Sequence, residues 1–212
     1  MNPKTAFTFV AAILLTPQPA QADPKADFQL FASGKKLTFD STGHEKANGI
    51  RIKLSYPKTW KASEGERPHI IQKLESEGGR GVDNFMLQIR PLPPEYNHDL
   101  TADDKKLLTS KTFLMRYIPK NVKLIEYKQT MIDGEPCGMF AILATTEVAG
   151  TQLVIYSILY FIPIKGFFVM LNAGSCGKAD EGVDAITSHY RDVKPVFQQI
   201  AASCILLDKW AK

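Results

Sequence analysis

Cysteine is scarce in this chain, with three residues in 212 at positions 137, 176 and 204, and no two of them form a C-x-x-C pair. Thioredoxin-like chemistry and cysteine-rich zinc sites are thereby excluded. No apolar run reaches the about 20 residues that a membrane span requires. The strongest candidate, residues 152–171, is interrupted by Pro163 and by Lys165-Gly166. Neither sign of charge prevails, since 26 Lys and Arg stand against 22 Asp and Glu, spread along the chain. That balance gives no electrostatic footing for nucleic acid.

Catalytic motifs are also missing. His44-Glu45 is not followed by a second histidine, because position 48 is Asn48, so the H-E-x-x-H zinc motif fails. His44, His69, His98 and His189 share no ligand spacing. Gly78, Gly79 and Gly81 lack the Lys-Ser/Thr of a phosphate loop and suit a hairpin tip instead. Gly174-Ser175-Cys176-Gly177 stands where a nucleophile could sit, with His189 and Asp192 downstream, but its spacing is not G-x-S-x-G. Asp103-Asp104 suits a helix start better than acid–base work. The expectation is a non-enzyme with no metal and no cofactor.

What the chain does contain begins with a leader. Lys4, the apolar residues 6–15 and Ala20-Gln21-Ala22 match the basic, apolar and cleavage regions of a secretory signal. Cleavage would leave residues 23–212 as one domain, periplasmic or secreted, with no membrane span. In an oxidising compartment three cysteines allow at most one internal disulfide. An unbroken helix over the C-terminal segment, rising about 1.5 Å per residue, would hold Cys176 and Cys204 roughly 35–40 Å apart, against the about 7 Å a bridge tolerates. A break at Pro195 would allow that pairing, and Cys137 with either partner is the alternative.

Residues 122–132, 136–147, 152–162 and 167–171 are β-branched and aromatic runs separated by Asp133-Gly134, Ala149-Gly150 and Lys165-Gly166. Such dipeptides suit tight hairpins, so an antiparallel four-strand meander is expected. The last two runs are apolar on both sides, as in strands covered on both faces. Earlier, residues 36–40 suggest a short strand, residues 50–56 alternate apolar with polar, and residues 69–74 and 84–90 suggest a strand pair. Residues 28–31 could dock as a short helix or strand after a polar start. Thr101 opens a helix through residue 118 with Leu107, Leu108, Leu114, Met115 and Ile118 on its apolar side. Val183, Ile186, Tyr190, Val193, Phe197, Ile200, Cys204 and Leu207 form a long helical stripe containing Pro195. The fold class is therefore α+β, an antiparallel sheet packed between helices as an α/β/α sandwich.

Three local features resemble the PsbP/Mog-like fold family. Tyr56-Pro57-Lys58-Thr59-Trp60 is similar to the family's Y-P-x-x-W after an early strand. The turn Ile132-Asp133-Gly134-Glu135-Pro136 resembles the hairpin that opens its paired long strands. Phe197, Ile200 and Ser203 resemble its terminal F-x-x-I-x-x-S helix. Known members are mainly non-enzymatic: assembly subunits of the photosynthetic oxygen-evolving complex, a Ran-binding protein, and chaperone-like adaptors of secreted toxins. The resemblance implies a protein-binding scaffold and transfers no catalytic residue.

The expected role is thus an envelope accessory or adaptor protein, or an immunity protein that neutralises a toxin. Candidate partner contacts are Arg80 in the Gly-rich tip and Tyr96 and His98 in the Pro-rich segment, residue types found at interface hot spots. A carrier of a small ligand or lipid between sheet and helices is the alternative, although the meander's aromatics suit a filled core better. A hydrolase built on Cys176 and His189 is a third.

Overall fold

The computed structural model describes residues 23–76 and 83–210. In chain order, α1 (Pro24–Ala32) leads to β1 (Lys36–Asp40), β2 (Ile52–Pro57), β3 (Trp60–Glu64), β4 (Ile70–Ser76) and β5 (Asn84–Pro91). Two short helices follow, α2 (Ala102–Leu108) and α3 (Lys111–Leu114), then β6 (Lys123–Ile132), β7 (Glu135–Val148), β8 (Thr151–Ile164) and β9 (Phe167–Lys178). The chain closes with α4 (Val183–Ala202), β10 (Ile205–Leu206) and α5 (Leu207–Trp210).

Turn chemistry sets the meander. Asp133-Gly134, Ala149-Gly150 and Lys165-Gly166 have φ of 48° and 73°, 50° and 78°, and 46° and 76°. Two successive positive φ values define a type I′ turn, whose twist matches that of the strands it joins. The seven-stranded sheet has the order β3-β4-β5-β9-β8-β7-β6, and a smaller one the order β1-β2-β10. All of their pairings are antiparallel.

Side chains alternate across the large sheet, so each strand feeds two cores. Ile158, Tyr160 and Ile162 of β8, Val169 and Leu171 of β9, and Phe85, Leu87 and Ile89 of β5 pack with Val193, Val196, Phe197 and Ile200 of α4. Phe140, Leu159, Phe161, Phe168 and Met170 point the other way, onto Leu108, Phe113, Leu114 and Ile118. Helices cover both faces, which is the α/β/α sandwich expected from the apolar runs. The aromatics of the second core interlock, with Phe161–Phe168 and Tyr117–Phe168 ring centroids 5.8 and 5.4 Å apart.

Several boundaries differ from the sequence reading. The run at residues 167–171 continues as strand to Lys178, because Gly177 is a packing glycine and no turn: a Cβ there would lie 2.8 Å from Ile186 of α4. Trp60, the last residue of the Y-P-x-x-W feature, starts β3. The polar start at residues 23–27 is ordered by Asp23, whose side chain accepts from the Lys25 N–H and caps α1. The helix expected over residues 101–118 is divided. Thr101 and Asp104 form a capping box, but Ser110 caps a new helix by accepting from the Phe113 N–H.

Pro195 lies inside α4 without breaking it. The helix ends instead at Ser203, whose Oγ accepts from the Ser55 N–H of β2 at 2.9 Å. The residues beyond join β2 as β10. Because α4 stays continuous, the chain does not fold back to bring Cys176 onto Cys204, and the bridge between them does not form. All three cysteines are free and buried. Cys176 packs with Leu153 and Ile155, while Cys137 and Cys204 lie in the α4-side core.

The three family-like features act as fasteners between layers. Trp60 donates from Nε1 to Asp27 of α1 at 3.0 Å and meets Phe197 edge to face at 6.0 Å. Ser203 ties α4 to β2. Asp133 holds the C-terminal segment, as described next.

Candidate functional site

Two of the large exposed apolar side chains flank the turn at Asp133. Trp210 and Met131 are 64% and 58% exposed, the highest of the large hydrophobic residues described. Both belong to the surroundings of the Asp133 turn. Asp133 Oδ2 accepts from the Trp210 indole N–H at 2.9 Å and from the Leu206 N–H at 2.8 Å. Lys209 donates to the Asp133 carbonyl at 2.7 Å and lies 3.5 Å from Glu135, which also pairs with Lys105 of α2 at 2.6 Å. One turn thus joins α2, the β6–β7 hairpin and α5. Met and Trp, exposed on either side of a turn that also carries charged partners, are residue types enriched at interfaces.

The neighbouring residue Asp208 anchors α5. Burial raises its pKa, but hydrogen bonds from Arg51 at 2.5 Å and Lys165 at 3.1 Å outweigh that and hold the carboxyl below its usual value. The carboxylate is therefore ionised at neutral pH and fixes the segment that carries Trp210.

Beside this cluster runs the edge of the large sheet. β6 pairs with β7 on one side and with no other described strand. A register shift between Leu124 and Glu126 disturbs its first half, while residues 127–132 are regular. On the helix side of β6, the Tyr127 hydroxyl donates to the Thr109 carbonyl at 2.8 Å and Gln129 donates to Thr109 Oγ1 at 3.2 Å. With Lys105 at Glu135, these contacts lay α2 alongside β6. Close approach is permitted by Gly138 of β7, where a Cβ would lie 2.8 Å from the Thr109 carbonyl oxygen.

The stretch that leads into β6 is rich in cations. Residues 101–123 carry Lys105, Lys106, Lys111, Arg116, Lys120 and Lys123 against Asp103 and Asp104, a surplus equal to the whole chain's formal net charge of +4. Lys106, Lys111, Lys120 and Lys123 are exposed and make no ion pair with the described residues. Leu107 and Met115 are 50% and 42% exposed within the same layer.

The residues expected to meet a partner fare differently. Arg80 and the leader lie outside the described residues. Tyr96 and His98 do lie together, with ring centroids 6.4 Å apart, but Tyr96 stands edge-on to buried Phe113 at 5.9 Å. His98 is exposed, with Nδ1 3.0 Å from the Asp99 carbonyl oxygen. Met131 and Trp210 escaped sequence reasoning. Met131 follows the strand alternation, and Trp210 comes three residues after the helical stripe's last member, so neither pattern signals exposure.

The Cys176–His189 pair is not assembled. Gly177 faces α4, so its neighbour Cys176 points to the opposite side of the sheet, away from His189 on α4. His189 Nε2 instead donates to the buried Asp83 carboxylate, 2.8 Å from Oδ2. Burial pushes the Cys176 thiol up to about 11, the reverse of what a nucleophile requires. Among the described residues no group of three or more His, Cys, Asp or Glu could hold a metal ion, and no helix is long and apolar enough to cross a membrane. A cavity of about 150 Å³ lies on the α2–α3 side of the sheet, lined by Pro119, Val122, Ile142, Ile155, Ser157 and Leu159 among others.

No protein-family model matches the chain, and no curated protein matches it. Solved structures do resemble it. The Ran-binding protein Mog1p of Saccharomyces cerevisiae is 8% identical, with a TM-score of 0.51 over 82% of this chain and 97% of that one. Cyanobacterial PsbP (CyanoP) from Synechocystis sp. PCC 6803 is 14% identical over 81% of this chain and 92% of its own, with a TM-score of 0.48. LpqN, involved in cell envelope biogenesis of Mycobacterium tuberculosis, is 10% identical over 82% and 92%, with a TM-score of 0.44. The fold is PsbP/Mog-like. At these identities the likeness is one of architecture.

Proposed function

We propose that this chain is an exported, non-catalytic module that binds another protein in the bacterial envelope through the surface around Asp133. The observation that carries the reading is the pairing of the two most exposed large hydrophobic side chains, Met131 and Trp210, around one tightly hydrogen-bonded turn. Large apolar side chains of these types, held in place beside charged groups, are what protein interfaces tend to bury. A protein of the same architecture, yeast Mog1p, is a Ran-binding protein, which favours a protein as the partner. Export rests on the leader at residues 1–22.

The test is a photo-crosslinking residue at Met131, introduced in the native host and followed by mass spectrometry of the adduct. One discrete protein adduct, weakened in a Trp210→Ala background, is the expected result, and its identity separates an envelope assembly from a toxin. An unattached Met131 variant after irradiation would count decisively against the reading. The carrier alternative, a pocket between sheet and helices, has less support: ligand pockets usually run to about 300–1,000 Å³, whereas the cavity between the sheet and the α2–α3 layer is about 150 Å³. The wider hollow of about 540 Å³ lies elsewhere, lined by Glu45, Lys46, Glu66 and His69 among others.

A further inference from the structure

The protein-binding reading leaves open what kind of partner segment would fit, and the elements beside Asp133 restrict it. Four features coincide there. The edge of β6 is unpaired among the described residues, and its stretch 127–132 is regular after the shift near Leu124. Strand edges present a row of N–H and C=O groups that another chain can satisfy by adding a strand. α2 ends over the same strand, where Thr109 accepts from Tyr127 and Gln129. Exposed Lys106 of α2, Lys111 of α3 and Lys123 at the start of β6 make no ion pair among the described residues. At the far end of the edge stand Met131 and Trp210.

We propose that an extended, acidic segment of the partner protein adds to β6 as a further antiparallel or parallel strand, its carboxylates meeting the α2–α3 lysines and an apolar residue meeting Met131 and Trp210. This rests on the protein-binding reading and deepens it. A second copy of this chain is a poor occupant, because two basic surfaces of the same kind repel. An anionic membrane surface would satisfy the lysines but not the edge. Lipid headgroups supply no strand to pair with the backbone, and helices of seven and four residues are too short to lie in a bilayer interface as amphipathic anchors. Lysines near a strand edge also guard against aggregation, and here they would do both: they repel basic strands and favour acidic ones.

The experiment uses the full exported chain labelled with ¹⁵N. The probes are a blocked decapeptide of alternating Glu and Val, its Lys-for-Glu counterpart, and vesicles of phosphatidylcholine with phosphatidylglycerol. Amide hydrogen exchange and chemical shifts are followed across β6. The acidic peptide should slow exchange of amides within residues 127–132, and its affinity should fall at least tenfold in the double variant Lys106→Glu, Lys111→Glu and weaken as salt is raised. Equal binding of the Lys peptide, no protection of β6, or vesicle binding in place of peptide binding would each overturn the proposal. If the Met131 crosslink captures a partner while the acidic peptide leaves β6 unprotected, strand addition fails and protein binding stands. If both are negative, both fail.

Discussion

The indole N–H of Trp210 donates to Asp133 Oδ2 at 2.9 Å, across 77 residues of sequence. A ring that is mostly in solvent is thereby held in one place by a hairpin turn. The same carboxylate oxygen accepts from the Leu206 N–H at 2.8 Å, so one side chain both seats β10 and orients the exposed tryptophan.

Replacing Asp133 by Ala removes the one acceptor shared by the Leu206 and Trp210 N–H groups, and it places Ala at φ 48°. The loss should be about 1–3 kcal/mol, with faster exchange of the Leu206 amide. Asp133→Asn keeps an acceptor and tolerates the left-handed backbone, so it should lose less. If Leu206 exchanges at the wild-type rate in Asp133→Ala, the clasp does not hold the C-terminal segment.

Gly138→Ala forces a methyl within 2.8 Å of the Thr109 carbonyl oxygen and 2.3 Å of Leu114 Cδ1. Leu114 can rotate, but the backbone oxygen cannot, so the α2–α3 junction must lift from β7. Overpacking of this kind costs about 1–3 kcal/mol. Urea denaturation should show a lowered midpoint, together with weaker Tyr127 and Gln129 contacts to Thr109. An unchanged midpoint would mean the helix layer is loosely seated.

The thiols should be inert in the native state. Burial pushes Cys137 and Cys204 up to about 12 and Cys176 up to about 11, so little thiolate exists at neutral pH. A thiol reagent should label none of the three quickly and all three after denaturation, and reductant should leave the melting temperature unchanged. A reductant-sensitive melting temperature would reveal a disulfide that this structure does not have.

His69 makes stability depend on mildly acidic pH. Burial, then the nearby charges of Arg90 and Arg67, lower its pKa to about 4 from the ordinary value of 6.5. Between those values the unfolded chain binds a proton that the folded chain refuses, so stability from this residue is present above about 6.5 and is lost as pH falls toward about 4. The site is partly open to solvent, which limits the effect to about 1 kcal/mol. His69→Gln should flatten the urea midpoint over that window. An identical pH profile in the variant would show that the neutral ring contributes nothing.

Asp27 is 6% exposed and accepts from Thr59 Oγ1 at 2.5 Å and from Trp60 Nε1 at 3.0 Å. Asp27→Ala leaves the buried indole N–H unpaired and should cost about 2–3 kcal/mol, loosening α1. The two tryptophans allow a direct reading: in Trp210→Phe the remaining emission comes from buried Trp60, and it should shift to longer wavelength when Asp27 is replaced. No shift would mean that α1 stays docked without this bond.

Much of the architecture was written in local pattern. The meander followed from Asp133-Gly134, Ala149-Gly150 and Lys165-Gly166, because two consecutive left-handed residues leave a chain little choice but to reverse. The misplaced boundaries share one cause. Ser203 and Gly177 look like helix interior and turn by their neighbours alone, but a backbone N–H of β2 captures the first and Ile186 of α4 presses on the second. The candidate surface was less legible, since exposure of Met131 depends on β6 having no outer neighbour.

By itself, the sequence determined the turns, the alternation of side chains between two apolar faces and the stripe that makes α4, since these depend on dihedral preference and on periodicity within a few residues. Only the tertiary structure decided that β6 ends the sheet among the described residues, that Thr109 at the end of α2 seats on Tyr127 and Gln129 of that strand, and that Cys176 and His189 part company across the β-sheet. Those are relations between segments far apart in the chain, set by which strand pairs with which and by what is left uncovered when the two cores close.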